Sequence, residues 1–234
     1  MKINFIDLGL RKFNEVQSIQ EDFLKKRKDS LCGDVVLFSQ FYPVITLGRN
    51  AKETDILVAK KTLEERGIDI YTLNRGGGVT LHLPGQWVIY PIWNLENWKK
   101  DISFYLKFLQ NWVVDFLDCF KLKATVDRKL PGVWIGEKKI SFIGIGISRW
   151  VTFHGLSINI NPDLKLFEYI IPCGIKNLKV TSLKEEIKNL SSEEVMKKNL
   201  LMALINLMRK ERFSYEILPV SSLAGQTFLQ YERI

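Results

Sequence analysis

The sequence predicts an α/β or α+β fold, a mixed β-sheet flanked by helices, in a single domain over residues 1–234. Three observations point there. Short β-rich runs recur between residues 34 and 160 and outnumber the helical ones. Three longer segments instead carry apolar residues at helical spacing, so strands and helices mix along the chain. A chain of 234 residues, 46% of them hydrophobic, supplies one substantial core, and no repeat, low-complexity stretch or linker divides it.

In chain order, Phe13 to Lys28 is an amphipathic helix with Phe13, Val16, Ile19 and Phe23 on one stripe. Residues 34–39 and 43–48 read as two strands joined by a turn. A short helix over 60–66 stops at Gly67, and 68–73 is a strand that runs into a glycine-rich loop. Strands over 79–83 and 87–92 flank the turn signal Pro84-Gly85. Residues 101–120 form a long helix whose buried stripe is Ile102, Leu106, Leu109, Trp112 or Val113, and Phe116. Strands follow at 122–126, 132–135, 140–148 and 151–160, with a polar hairpin, Glu137-Lys-Lys139, inside this run. Ser191-Ser-Glu-Glu194 resembles a capping box and opens a helix to about Lys210. Residues 211–234 are a weakly patterned tail.

Composition narrows the function classes. The net charge of +8 favours an acidic partner. The basic residues are scattered apart from Lys25-Lys-Arg-Lys28, and no RNA-binding motif accompanies them, so a nucleic-acid binder is not expected. Three cysteines without regular spacing argue against a disulfide framework, and two histidines without CxxC or CxxxH spacing argue against a metal site. The N-terminal residues carry an early acid and no long apolar run. They read as neither signal peptide nor membrane span, which places the chain in a reducing cytoplasm with its thiols free.

The residues that carry chemistry lie in two turns. Tyr169-Ile-Ile-Pro-Cys-Gly-Ile175 sets Cys173 between a proline and a glycine, a turn able to hold a thiol beside free N–H groups. Arg75-Gly-Gly-Gly78 follows a strand and lets a ligand approach the backbone. It lacks the Lys-Ser/Thr of a phosphate loop, and a strand follows it instead of the helix of a dinucleotide fingerprint. Cys119, ending an apolar helix stripe, reads as buried packing, and Cys32 as structural. A lysine ammonium ~4 Å from a thiolate favours it by on the order of 4 kcal/mol at an effective dielectric near 20, so a Cys–Lys pair needs no histidine. Spacing alone does not say whether Lys138 or Lys139 is the partner. Alternation allows only one of them to point inward once the strand has begun. His82 and His154 are alternative bases, or orient groups in the pocket.

Taken together, Pro43-Val-Ile-Thr-Leu-Gly-Arg49, Arg75-Gly-Gly-x-Val-Thr-x-His82, Pro84-Gly-Gln86 with Tyr90-Pro91, Lys139-Ile140 leading to Gly144, Thr152-Phe-His-Gly-Leu156, Asn159-x-Asn-Pro-Asp163 and Pro172-Cys-Gly-Ile175 resemble the lipoyl(octanoyl) transferases. The likeness runs in family order from about Leu8 to Leu183. Leu83 stands where the family usually has glycine, Gly78 where a polar residue is common, and Ser39-Gln40 where a Glu-His pair is familiar.

The resemblance implies a lipoate/biotin protein ligase-like fold and a ping-pong reaction. Cys173 would take an octanoyl group from octanoyl-acyl carrier protein and pass it to a lysine. The implied acceptors are the lipoyl domains of 2-oxoacid dehydrogenases and the glycine cleavage H protein. Lys139 matches the family lysine that activates the cysteine. Residues Arg75, Gly76, Gly77, Gly78, Val79, Thr80, Leu81 and His82, then Phe142, Ile143 and Gly144, then Gly155, Leu156 and Ser157 match its substrate-contact segments. His154, Gln86 and Arg49 are expected to support them. A thioester is already activated, so neither cofactor nor metal is expected, and a monomer is. An ATP-dependent lipoate-protein ligase and an octanoyl amidotransferase are the alternatives on the same scaffold.

Overall fold

The computed structural model describes residues 2–127, 130–213 and 216–222, with Lys2 and 216–222 described as backbone only. Eleven strands and five α-helices alternate along these residues. They are β1 (Lys2–Arg11), α1 (Phe13–Lys28), β2 (Asp34–Phe41), β3 (Val44–Leu47), α2 (Lys60–Glu65), β4 (Asp69–Thr72), β5 (Val79–His82), β6 (Gln86–Ile92), α3 (Ile102–Asp118), β7 (Ala124–Thr125), β8 (Gly132–Ile135), β9 (Lys138–Ser148), β10 (Val151–Asn159), α4 (Leu183–Glu186), α5 (Glu193–Lys210) and β11 (Glu216–Ser222). An eight-stranded sheet runs β11-β1-β2-β6-β10-β9-β8-β7, and a three-stranded sheet runs β4-β3-β5. The large sheet is mixed: β11, β1 and β2 pair in parallel, and the rest are antiparallel.

Strand alternation divides the core. On β2, Val36 and Phe38 join the cluster under α3 and α5, while Val35 and Leu37 join the cluster under α1. A third cluster links the small sheet to Phe142 of β9 and to Phe167. No helix among the described residues is long and apolar enough to cross a membrane.

Several expectations need correction. The runs at 34–39 and 43–48 are strands but do not pair: β2 stays in the large sheet, while β3 joins the small one between β4 and β5. The Pro84-Gly85 turn likewise sends β5 and β6 to different sheets. The N-terminal segment is a ten-residue strand. Part of the supposed C-terminal tail forms β11, whose Glu216 pairs with Lys2; 214–215 and 223–234 lie outside the described residues. Cys119 caps the end of α3 and is exposed, because the apolar stripe stops at Phe116 and Leu117. Ile102 is 47% exposed, since the first turn of α3 overhangs the core. Ser192, and not Ser191, caps α5, its hydroxyl accepting from Val195 N–H.

The basic cluster at 25–28 has a structural use. It lies in the last turn of α1, where cations offset the helix dipole. Arg27 is buried, its Nε 2.6 Å from Asp34 Oδ1. Asp34 also accepts from Asn94 N–H at 3.0 Å and Trp98 Nε1–H at 2.9 Å, so one carboxylate ties α1, β2 and the loop after β6 together. Replacing it leaves a buried guanidinium unpaired. Asp34→Ala is expected to lower unfolding free energy by about 3–5 kcal/mol, read from urea denaturation.

Candidate active site

Cys173 sits in a 3-10 turn, Pro172–Gly174, with φ 57° and ψ 17°. Left-handed backbone at a non-glycine residue is strained by ~1–3 kcal/mol, so the surrounding structure must impose it. The turn is pinned at both ends: Ile171 N–H donates to Asp55 O at 2.7 Å, Gly174 N–H to Ile171 O, and Ile175 N–H to Pro172 O. The last two bonds overturn part of the expectation about this turn, for these two amides after the cysteine are already engaged and not free. The glycine loop closes the other side. A Cβ on Gly78 would lie 3.2 Å from the Cys173 carbonyl carbon, so a side chain there would push the loop away from the thiol.

Lys139 resolves the choice between the two hairpin lysines. β9 begins at Lys138, so neighbouring side chains oppose each other. Lys138 turns outward to Glu186. Lys139 turns inward and is 1% exposed. Its ammonium donates to Pro131 O at 2.9 Å and to Cys173 Sγ at 3.8 Å. It also lies over the rings of Trp134 and Phe142, at 4.7 and 5.0 Å. Burial lowers its pKa, while the attraction of Cys173 pulls the other way. At this separation the ammonium attracts negative charge on the sulfur, against the desolvation that burial costs it.

Gly132, a residue sequence reasoning missed, makes room for that ammonium. Its φ is 144°, and a Cβ there would lie 2.4 Å from Lys139 Cε and 2.9 Å from Nζ. Gln110 on α3 holds the same segment, donating to Gly132 O at 3.1 Å. The Pro131-Gly132 step before a strand was the readable signal, although it says only that a turn is present.

Cys173 opens on a slender cleft of about 40 Å³ between the two sheets. Of the expected residues, Arg75, Gly77, Gly78, Thr80, His82, Phe142, Ile143, Gly144, His154, Gly155, Leu156 and Ser157 line it, joined by Val88 and Tyr90 of β6. Gly76, Val79, Leu81, Gln86 and Arg49 do not, and Lys139 reaches Cys173 from behind the lining. Val79 and Leu81 alternate into the apolar cluster with Ile45 and Leu63. Leu83 packs into that cluster too, and not into the cleft. Gln86 stands behind His82, and Arg49 is exposed on a separate groove with Leu73 and Asn74. Arg75 lines the cleft, yet its guanidinium is engaged: it donates to Thr46 O and Oγ1 at 2.8 and 2.7 Å and to Gly76 O at 3.0 Å. It therefore fixes the glycine loop against β3.

Both histidines are buried and stay neutral. Burial lowers His82 to about 4 against a weaker opposing hydrogen bond from Gln86. Burial, with Arg75 nearby, lowers His154 to about 3. Neither is a cation at neutral pH, which leaves Lys139 as the positive charge beside the sulfur. Among the described residues no cluster of three His, Cys, Asp or Glu could hold a metal.

Two expectations follow. An unfolded histidine titrates near 6.5, whereas these folded rings resist protonation until about 4 and about 3. Between those limits the unfolded chain binds more protons, so the contribution is complete above pH 6.5 and is lost as pH falls. Urea midpoints should be level from pH 8 to 7 and decline steadily from 6.5 to 4. Separately, Lys139→Met should slow iodoacetamide alkylation of Cys173 at pH 7 by at least about tenfold, because the charge that favours the thiolate is gone; the rate is read by mass spectrometry.

Comparison with known proteins identifies the family. The sequence matches the lipoyl protein ligase A/B catalytic domain family over residues 13–203. It is 39% identical over 218 residues to an octanoyltransferase of Solibacter usitatus (strain Ellin6076), spanning 93% of this chain and 96% of the relative. An octanoyltransferase of Clostridium kluyveri is 39% identical over 184 residues, 79% of this chain and 78% of the relative. Among solved structures, the bi-partite lipoate protein ligase of Thermoplasma acidophilum superposes with a TM-score of 0.67 at 16% identity, covering 93% of this chain and 88% of that one. The biotin protein ligase of Aquifex aeolicus with biotin and ATP gives 0.54 at 18% identity, covering 88% and 71%. The solved structures speak for the fold. The curated relatives, 39% identical over most of both chains, speak for more: the chain belongs to the lipoyl protein ligase A/B catalytic domain family and stands among its octanoyltransferases.

Proposed function

We propose that this chain carries out octanoyl transfer in protein lipoylation as a two-step acyl transfer through Cys173, from octanoyl-acyl carrier protein to a lysine of a lipoyl domain. The observation that carries the reading is the 3.8 Å contact between Lys139 Nζ and Cys173 Sγ.

The Cys173 thiolate attacks the carbonyl carbon of the incoming thioester. The tetrahedral intermediate collapses with loss of the carrier thiolate, which takes a proton from the Lys139 ammonium. The acceptor lysine, as the neutral amine, then attacks the Cys173 thioester. An amide forms, the Cys173 thiolate departs, and the amine proton returns to neutral Lys139. The pair is restored, and the two transfers share one nucleophile. A lysine whose pKa is lowered by burial is suited to giving up and regaining that proton. The amide of Gly78 donates to no protein acceptor among the described residues, and Gly78 lies against Cys173, which suits it to the developing oxyanion.

Partner chemistry fits the charge. A surface of net charge +8 attracts acidic donor and acceptor domains. The acyl chain would lie along Val88 and Phe142, which share the cleft face of the large sheet, gaining ~0.8 kcal/mol per buried methylene, so a narrow cleft favours an unbranched chain. Free cysteines throughout the described residues suit a reducing cytoplasm, with the protein working as a monomer.

The test is intact-mass spectrometry after mixing with octanoyl-acyl carrier protein and no nucleotide. One octanoyl adduct mapping to Cys173, discharged by an apo lipoyl domain, is expected, and Cys173→Ser should form none. Transfer that persists in Cys173→Ser, or that needs octanoate and ATP, would mean ligase chemistry instead.

A further inference from the structure

Besides Arg27, which is paired with Asp34, the buried stripe of α1 contains one polar residue. Phe13 and Val16 face the sheet, and one turn later the same stripe presents Gln20, 1% exposed. A buried side-chain amide needs partners, and Gln20 finds them on a residue that lines the cleft. Its Oε1 accepts from the His154 backbone N–H at 2.6 Å. Its Nε2 donates to Gln17 Oε1 at 3.2 Å and faces His154 Nδ1 at 3.5 Å. The amide cannot be flipped, because a backbone N–H only donates and must meet the oxygen. Nδ1 of His154 therefore faces a donor and is the unprotonated nitrogen, which leaves the proton of the neutral ring on Nε2.

His154 has φ 53° inside β10, a backbone conformation that strand residues avoid. Strain of ~1–3 kcal/mol at such a position persists only where neighbours impose it. The two-point contact from Gln20 does so. His82, on the same cleft, is set the opposite way. Gln86 Nε2 donates to Asn159 Oδ1 and Leu81 O, so its Oε1 faces His82 Nδ1 at 2.6 Å and accepts. His82 thus carries its proton on Nδ1 and leaves Nε2 bare.

We propose that Gln20 is a positioning residue: through His154 it holds a neutral Nε2–H donor in the cleft, and that donor serves the carbonyl oxygen of the acyl thioester. The inference rests on the acyl-transfer reading. Beyond that carbonyl an octanoyl group is methylenes and a methyl, so a fixed donor in the cleft has no other atom of the acyl group to serve. Burial keeps the ring neutral, so the donor carries no net charge into an apolar slot.

The test compares the native chain with Gln20→Leu and the near-isosteric Gln20→Glu. Long-range ¹H–¹⁵N correlation spectra resolve both imidazoles, since the chain has two histidines. The native protein should show one ring protonated at Nε2 and one at Nδ1. Gln20→Leu should shift the His154 pattern toward a tautomer mixture and leave His82 unchanged. Gln20→Glu should draw the proton to Nδ1. Both variants should form the octanoyl adduct at least about tenfold more slowly, with KM for octanoyl-acyl carrier protein unchanged and iodoacetamide alkylation of Cys173 within about twofold of native. A native His154 protonated at Nδ1, or variants that acylate at the native rate, overturns the proposal. If the native chain forms no adduct at all, the transfer reading and the carbonyl role fall together, and the spectra still decide whether Gln20 sets the tautomer.

Discussion

The structure depends on burying a cation next to a sulfur atom. An isolated ammonium in a protein interior is strongly disfavoured, and Lys139 is tolerated because every side of it is compensated: a carbonyl, two aromatic faces and the thiol of Cys173. Much of the local architecture serves that arrangement. Gly132 leaves space for the side chain, Gln110 ties down the segment that provides the carbonyl, and the backbone of Lys139 is bonded on the other side to Lys179 and Thr181, ahead of α4. The strained turn of Cys173 is anchored separately, through Asp55. Two independently held segments thus meet at one contact, the contact on which the proposed acyl transfer rests.

The electrostatics of the cleft follow from what is left out. Two histidines line the same cleft as the cysteine, a composition that suggests a thiol–imidazole pair. Burial makes both rings poor bases, and the fixed charge of Arg75 opposes protonation further. Arg75 itself is turned onto the backbone of β3 and the glycine loop, so the one guanidinium in the cleft acts as scaffold. Apart from that engaged guanidinium, the lining offers neutral donors and acceptors beside apolar side chains.

How much of this was legible in the sequence depends on the range of the interactions. Local signals read well: the stripe of α1, the stop at Gly67, the Pro84-Gly85 turn, and the alternation that lets only one of Lys138 and Lys139 point inward. Pairings did not, because periodicity marks a strand without naming its neighbour. The runs that become β2 and β3 look like a hairpin yet serve different sheets. The site was legible as an ensemble of motifs, and the structure separates those residues by role: Thr80 and His82 alternate into the cleft, while Val79 and Leu81 alternate into the core behind it. Gln20 and Gln110 were missed because each acts through a residue distant in sequence, and a buried polar side chain has no local signature.

The pairing of β11 with β1 has a bearing on biosynthesis. Lys2 is matched with Glu216, so the flank of the first strand is covered by residues made much later. Until they emerge from the ribosome, β1 presents unsatisfied backbone groups to its surroundings, the kind of open border that invites pairing with other chains. The asymmetry favours help from chaperones during synthesis, and it makes the finished sheet a late event in the life of each new molecule.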